Sequence, residues 1–224
     1  MELMEGTLKY IADNREFLNI DERRAVALMK PILKFLAFMH DDGYVHADIK
    51  PDNILFGNND IKVGDFGLAV DRRDKTSNIG IRGTVPYMPK ELFCGGEYRA
   101  SVDIYEAAGV WKYLLTGSHP WAGYEAHAVM FKVGSGEIPE IPNNCSEETK
   151  QLLKRMFHPD SEKRPTAKEL LQDPTFSDTS ESVLDEVLVE VLVDTQLLRN
   201  DGNLAFAPMT LDGDDDEPDP AHPL

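Results

Sequence analysis

At 224 residues, with 42% hydrophobic and 28% charged residues, the chain can bury one sizeable core, with or without an appendage, and no apolar run approaches the roughly 18 residues of a membrane span. Cys94 and Cys145 form no CxxC pair and no zinc-type Cys/His spacing, which excludes a disulfide framework and fits the reduced thiols of a cytosolic or nuclear protein. The net charge of −17 is uneven, with 13 acidic residues against the single base Arg199 in residues 177–224, a balance that disfavours nucleic acid and anionic membrane as partners.

Residues 1–10 mix Glu, Gly, Lys and Thr with apolar residues, so they have neither the basic start nor the apolar centre of a secretory signal. From Asp21 to His40 apolar residues recur at helical spacing (Ala25, Leu28, Met29, Ile32, Leu33, Leu36), and Asp21 is placed to cap a buried helix. Pro31 removes one backbone donor, so an interruption or bend is expected there. Ile54-Leu55-Phe56 and Ile61-Lys62-Val63 are short apolar runs separated by Gly57-Asn58-Asn59-Asp60, which is hairpin spacing with turn-forming residues between. Residues 71–90 are an irregular segment rich in Arg, Lys, Gly, Thr and Pro.

Helical patterns then cover residues 101–115, 124–133, 146–157 and 166–171, punctuated by Gly117, Pro139, Pro142 and Pro165. Val183, Leu184, Val187, Leu188, Val191 and Leu192 make one stripe at 3.6 residues per turn. A helix covering the core and a helix docking on a partner both fit that stripe, and a strand fits it less well. Residues 212–220 read as a solvated, disordered end. Trp111, Trp121 and Phe131 read as fillers of core or surface grooves.

His46-Ala47-Asp48-Ile49-Lys50-Pro51-Asp52-Asn53 packs an acid, a cation and an amide into one loop, and Asp65-Phe66-Gly67 follows across the hairpin. Phosphoryl transfer requires an orienter for the incoming hydroxyl, a cation for developing negative charge and oxygen ligands for magnesium. This segment supplies all three. Its spacing matches H-R-D-L-x-x-x-N followed by D-F-G, with Ala47 for Arg and Ile49 for Leu.

On these motifs the chain resembles the protein kinase family over residues 1–176, with residues 177–224 as an acidic extension. The fold implied is α+β and protein-kinase-like: a mainly helical C-terminal lobe with a short β-hairpin, starting at the hinge and without the N-terminal β lobe. By that resemblance Asp48 is the catalytic base, Lys50 neutralises the transferred phosphate, and Asn53 with Asp65 holds Mg2+. Lys50, two residues after Asp48, is similar to the serine/threonine type. The backbone of Glu2 and Met4 would meet the adenine of ATP, with Leu55 packed beneath it. Thr84 would hydrogen-bond Asp48 and Lys50, Glu91 would pair with Arg164, and Asp103 would brace the catalytic loop. His46 and Phe66 would be structural, with Phe66 packed internally. Leu114-Leu115-Thr116-Gly117, Pro120-Trp121 and residues 136–142 look most like mitogen-activated protein kinase kinase kinases, which implies a protein substrate such as a downstream kinase.

Three departures stand beside the resemblance. Ala47 offers no charge-assisted bond to a phosphate on the activation segment, so activation through Thr76, Ser77 or Thr84 is disfavoured, although Arg72, Arg73 and Arg82 remain as cations. Pro89-Lys90-Glu91 replaces A-P-E, and Ala108 stands where a helix glycine is usual. No G-x-G-x-x-G precedes a lysine strand, so little or no activity is expected of this chain without an N-terminal lobe or a partner supplying one. Two functions follow: a serine/threonine kinase, or a non-catalytic half-kinase acting as an interaction module.

Overall fold

The computed structural model describes residues 4–74 and 81–200. Strand β1 (Gly6–Thr7) leads into helix α1 (Leu8–Asp13), and the long helix α2 (Glu22–Asp41) follows. Asp21 caps α2, its carboxylate accepting the Arg24 N–H at 2.8 Å. The expected interruption at Pro31 does not occur, because α2 runs through it as one helix. Ile32, Leu33 and Leu36 beyond the proline are fully buried, and this packing outweighs the single backbone donor that proline lacks.

Strands β2 (Tyr44–Val45), β3 (Ile54–Gly57), β4 (Asp60–Val63) and β5 (Val70–Asp71) form two small sheets. The expected hairpin is present, but its strands extend inward so that only Asn58 and Asn59 make the turn. Both asparagines have positive φ, 51° and 57°, which is the two-residue turn that matches strand twist. β1 pairs antiparallel with β3, setting Thr7 opposite Leu55, while β2 pairs with β5.

The C-terminal part is helical: α3 (Lys90–Phe93), α4 (Ala100–Thr116), α5 (Ala126–Gly134), α6 (Glu147–Met156), α7 (Ala167–Gln172), α8 (Pro174–Ser177) and α9 (Glu181–Asn200). Ser146 caps α6, and Thr166 caps α7 in a reciprocal capping box with Glu169. α4 is buried along nearly its whole length, and its Trp111 and Tyr105 meet Phe176 and Phe157 with ring centroids 5.1 and 5.0 Å apart. Gly109, one residue after the alanine expected to disturb packing, is the close-approach position: a Cβ there would lie 2.7 Å from the Tyr87 ring. Trp111 and Trp121 are buried as expected, but Phe131 is 77% exposed and fills no groove in the described residues. No helix among the described residues is long and apolar enough to cross a membrane.

α9 carries the expected apolar stripe and covers the core. Val187, Leu188 and Val191 are buried in the same cluster as α2 and α4, and Val183 is buried as well. Arg24 grips Glu190 at 2.6 and 3.0 Å, Lys34 meets Glu181 at 2.9 Å, and Lys30 donates to the Thr179 carbonyl at 2.7 Å. These pairs are partly exposed, so the apolar burial supplies most of the docking energy and the charges set its register. Leu188→Ala is expected to destabilise the chain by roughly 2–5 kcal/mol in urea denaturation, whereas the half-exposed Val189→Ala should change stability by less than about 0.5 kcal/mol.

Candidate active site

The loop between β2 and β3 has no ladder partner for its amides, so side chains satisfy them. Asp103 of α4 is wholly buried; its Oδ2 accepts the His46 N–H at 2.9 Å and its Oδ1 accepts the Ala47 N–H at 2.8 Å. His40 Nε2 reaches the same Oδ2 at 2.7 Å. The next amide, Asp48 N–H, donates to His46 Nδ1 at 3.3 Å, and the Ile49 N–H donates to Glu106 Oε2 at 2.7 Å. With Nδ1 accepting, His46 Nε2 carries the proton and donates to the Gly64 carbonyl at 3.0 Å. Sequence reasoning anticipated Asp103 and His46 but not His40 or Glu106. The available signal for Glu106 was a lone acid within the apolar window 104–111, one helical turn after Asp103.

On this frame the expected polar residues meet. Lys50 Nζ donates to Asp48 Oδ2 at 2.6 Å and to Thr84 Oγ1 at 3.0 Å, and Thr84 donates in turn to Asp48 Oδ1 at 2.7 Å. Asn53 Nδ2 donates to the Asp48 carbonyl and to its Oδ2 at 2.9 and 3.0 Å. Both bonds use the amide nitrogen, so the Asn53 oxygen faces elsewhere as an acceptor. The Ile54↔Val63 pairing places Asn53 beside the residues that follow β4, and Gly64 N–H donates to the Asn53 carbonyl at 2.8 Å.

Asp65 comes next, exposed and with φ 59°, and its Oδ1 accepts the Gly67 N–H at 3.3 Å. Among the described residues no three His, Cys, Asp or Glu side chains cluster as a metal cage. One amide oxygen and one carboxylate is nevertheless a fitting donor set for magnesium, which takes few protein ligands and completes its shell with phosphates and water. Met4 and Leu55 are buried near the strand that joins β1, where Glu5 N–H donates to the Phe56 carbonyl at 2.8 Å. Glu2, Thr76 and Ser77 lie outside the described residues.

One expectation needs correction. Phe66 is half exposed rather than internal, with the His46 ring at 5.3 Å and the Phe35 ring at 6.0 Å beside it. Arg72 donates to the His40 carbonyl at 2.8 Å and Arg73 to Asp71 at 2.8 Å, both at the surface. Ala47 is buried beside Val45, Val70 and Met88 and sits at φ 64°, a conformation that costs a residue with a Cβ about 1–2 kcal/mol. The Asp103 bond to its amide holds it there. Gly83 closes over it, since a Cβ at that glycine would lie 3.2 Å from the Ala47 carbonyl oxygen.

Glu91 and Arg164 pair in two parallel bonds of 2.6 and 2.9 Å. Arg164 also donates to the His158 and Ser101 carbonyls at 2.8 and 2.9 Å and lies 5.0 Å over the Tyr105 ring. This fully engaged guanidinium ties the end of the irregular segment to α4.

A family model described as the protein kinase domain matches residues 1–176. The chain belongs to the protein kinase family. It is similar to the serine/threonine-protein kinase BCK1/SLK1/SSP31 of Saccharomyces cerevisiae, 35% identical across 78% of this chain and 13% of that one. The Wee1-like protein kinase of Arabidopsis thaliana is 36% identical across 79% of this chain and 34% of its own length. Mitogen-activated protein kinase kinase kinase 17 of the same plant is 32% identical across 78% and 48%. This kinase chain thus spans less than half the length of each of these three relatives.

Burial, and after it the neighbouring Asp103 and Asp48, push the Glu106 carboxyl well above its usual range, against the Ile49 N–H and Lys50. The folded kinase therefore holds this proton to higher pH than the unfolded chain. The stability it contributes is complete below the ordinary value of 4.5 and declines as pH rises. Glu106→Gln should gain thermal stability relative to the parent progressively above pH 4.5; thermal melts between acid and neutral pH check this, and a pH-independent difference would contradict it.

Proposed function

We propose that this chain carries the phosphoryl-transfer residues of a serine/threonine protein kinase of the mitogen-activated protein kinase kinase kinase type, acting on a protein such as a downstream kinase. The observation that carries the reading is the closed hydrogen-bonded set of Asp48, Lys50, Thr84 and Asn53. Asp48 would accept the proton of the incoming Ser or Thr hydroxyl, and Lys50 beside it would offset charge on the transferred phosphate. Thr84 locks the carboxylate and the ammonium in one orientation. Asn53 and Asp65 offer the hard oxygen atoms that would hold Mg2+, which would supply positive charge to offset the phosphates of bound ATP. Met4 and Leu55, with Glu2, are assigned to the adenine. Glu91, Asp103 and Arg164 keep the scaffold rigid.

Residues 1–176 form the kinase unit in this reading, and α9 belongs to an acidic extension that completes its core. Both cysteines are free, in keeping with a cytosolic or nuclear setting. The sequence contains no G-x-G-x-x-G run ahead of a lysine strand, the parts that cover the nucleotide phosphates in protein kinases. Transfer by these 224 residues alone should therefore be slight.

The test measures magnesium-dependent ATP binding and phosphate transfer to a generic basic protein, for this chain alone and fused behind a kinase N-terminal lobe. The fused chain should transfer phosphate, Asp48→Asn should reduce the rate about 10²–10⁴-fold, and Asp65→Ala should abolish magnesium-dependent binding. A fused chain that binds ATP without transferring phosphate would overturn this reading in favour of a non-catalytic interaction module.

A further inference from the structure

Asp103 and Glu106 are three residues apart on α4, so they share one face of the helix. Asp103 takes the two amides that precede Asp48, and Glu106 takes the one that follows it. The peptide units on both sides of Asp48 are thereby bracketed from a single rigid helix. Glu106 is wholly buried, and a buried carboxyl is costly unless its bond is structurally needed. The Ile49 N–H is its one hydrogen-bond partner among the described residues, and Oε1 has none.

We propose that Glu106 is a positioning residue of the phosphoryl-transfer loop, fixing the Ile49 peptide and through it the relative placement of Asp48 and Lys50. The inference rests on the functional reading above, because it assigns Glu106 to the geometry of that pair. Lys50 follows Ile49 directly and bonds Asp48 at 2.6 Å; a rotation of the Ile49 peptide would move the ammonium and carboxylate relative to each other. Oε2 acts as the acceptor and the unpartnered Oε1 is the place for the proton, so an amide of the same shape should serve equally well. A group filling space alone would be replaceable by leucine instead.

Amide hydrogen exchange on the 224-residue chain, read as peptides by mass spectrometry, tests this without requiring activity. Glu106→Leu is expected to raise exchange in residues 44–53 about tenfold while peptides from α2 and α6 remain at parent rates, and Glu106→Gln should keep the parent pattern throughout. In the fused, transfer-competent chain, Glu106→Leu should lower kcat with KM for ATP little changed. An unaltered loop in Glu106→Leu, a rise spread evenly over the whole chain, or a Glu106→Gln variant as loosened as the leucine one would each overturn the proposal. If Glu106→Leu does not fold, residue-resolved exchange of the Ile49 amide in the parent and Glu106→Gln decides: protection in both supports it, and exchange at open-loop rates in either overturns it. Failure of the functional reading would appear differently, as a fused chain lacking transfer while the loop exchange pattern still holds.

Discussion

The site depends on one buried carboxylate. Asp103 receives two successive loop amides and the His40 ring, bonds that each contribute about 1.5–3 kcal/mol because the acceptor is charged. Without it, residues 46 and 47 would carry buried donors with no partner, and Ala47 would have no reason to hold its left-handed conformation. Every contact further along the loop inherits this geometry. The Asp48 side chain reaches Lys50, Thr84 and Asn53 because the backbone behind it is already set.

α4 can act as that anchor because it is itself surrounded. Trp111, Tyr105, Leu114 and their neighbours bury it between α2 and α6, and Arg164 couples its start to Glu91 at the end of the irregular segment. α9 closes the other side of α2, which in turn supplies His40. The acids in this part of the chain are therefore not only solvated charge. Glu181 and Glu190 meet Lys34 and Arg24, and the stripe between them joins the common core. A segment lying outside the residues matched by the kinase family model thus contributes to the rigidity of the helix on which the loop anchor leans.

Much of this was legible in the sequence where chemistry and spacing coincide. The run from Asp48 to Asn53, Asp65 after a hairpin, and the Glu91 and Arg164 pair could be placed by motif alone. The start of α2 followed from the cap at Asp21, since a short polar side chain ahead of an apolar stripe has a direct physical meaning. Exposure was harder to read. Phe66 and Phe131 look like core residues by type, yet what covers an aromatic ring depends on tertiary neighbours that no local pattern encodes. Pro31 does not interrupt α2, because burial of the following turns outweighs one lost donor. Glu106 escaped notice because its partner, the Ile49 amide, lies 57 positions away and is a backbone group that every residue possesses.

The central claim, that the loop is held ready by α4 before any nucleotide arrives, is tested most directly by backbone nitrogen-15 relaxation of residues 46–50 in the ligand-free chain. The account predicts order parameters near 0.85, equal to those of α4, falling below about 0.6 in Asp103→Ala while α2 and α6 stay rigid. Values below about 0.6 in the parent chain would contradict it, as would a loop that stays rigid once Asp103 is gone.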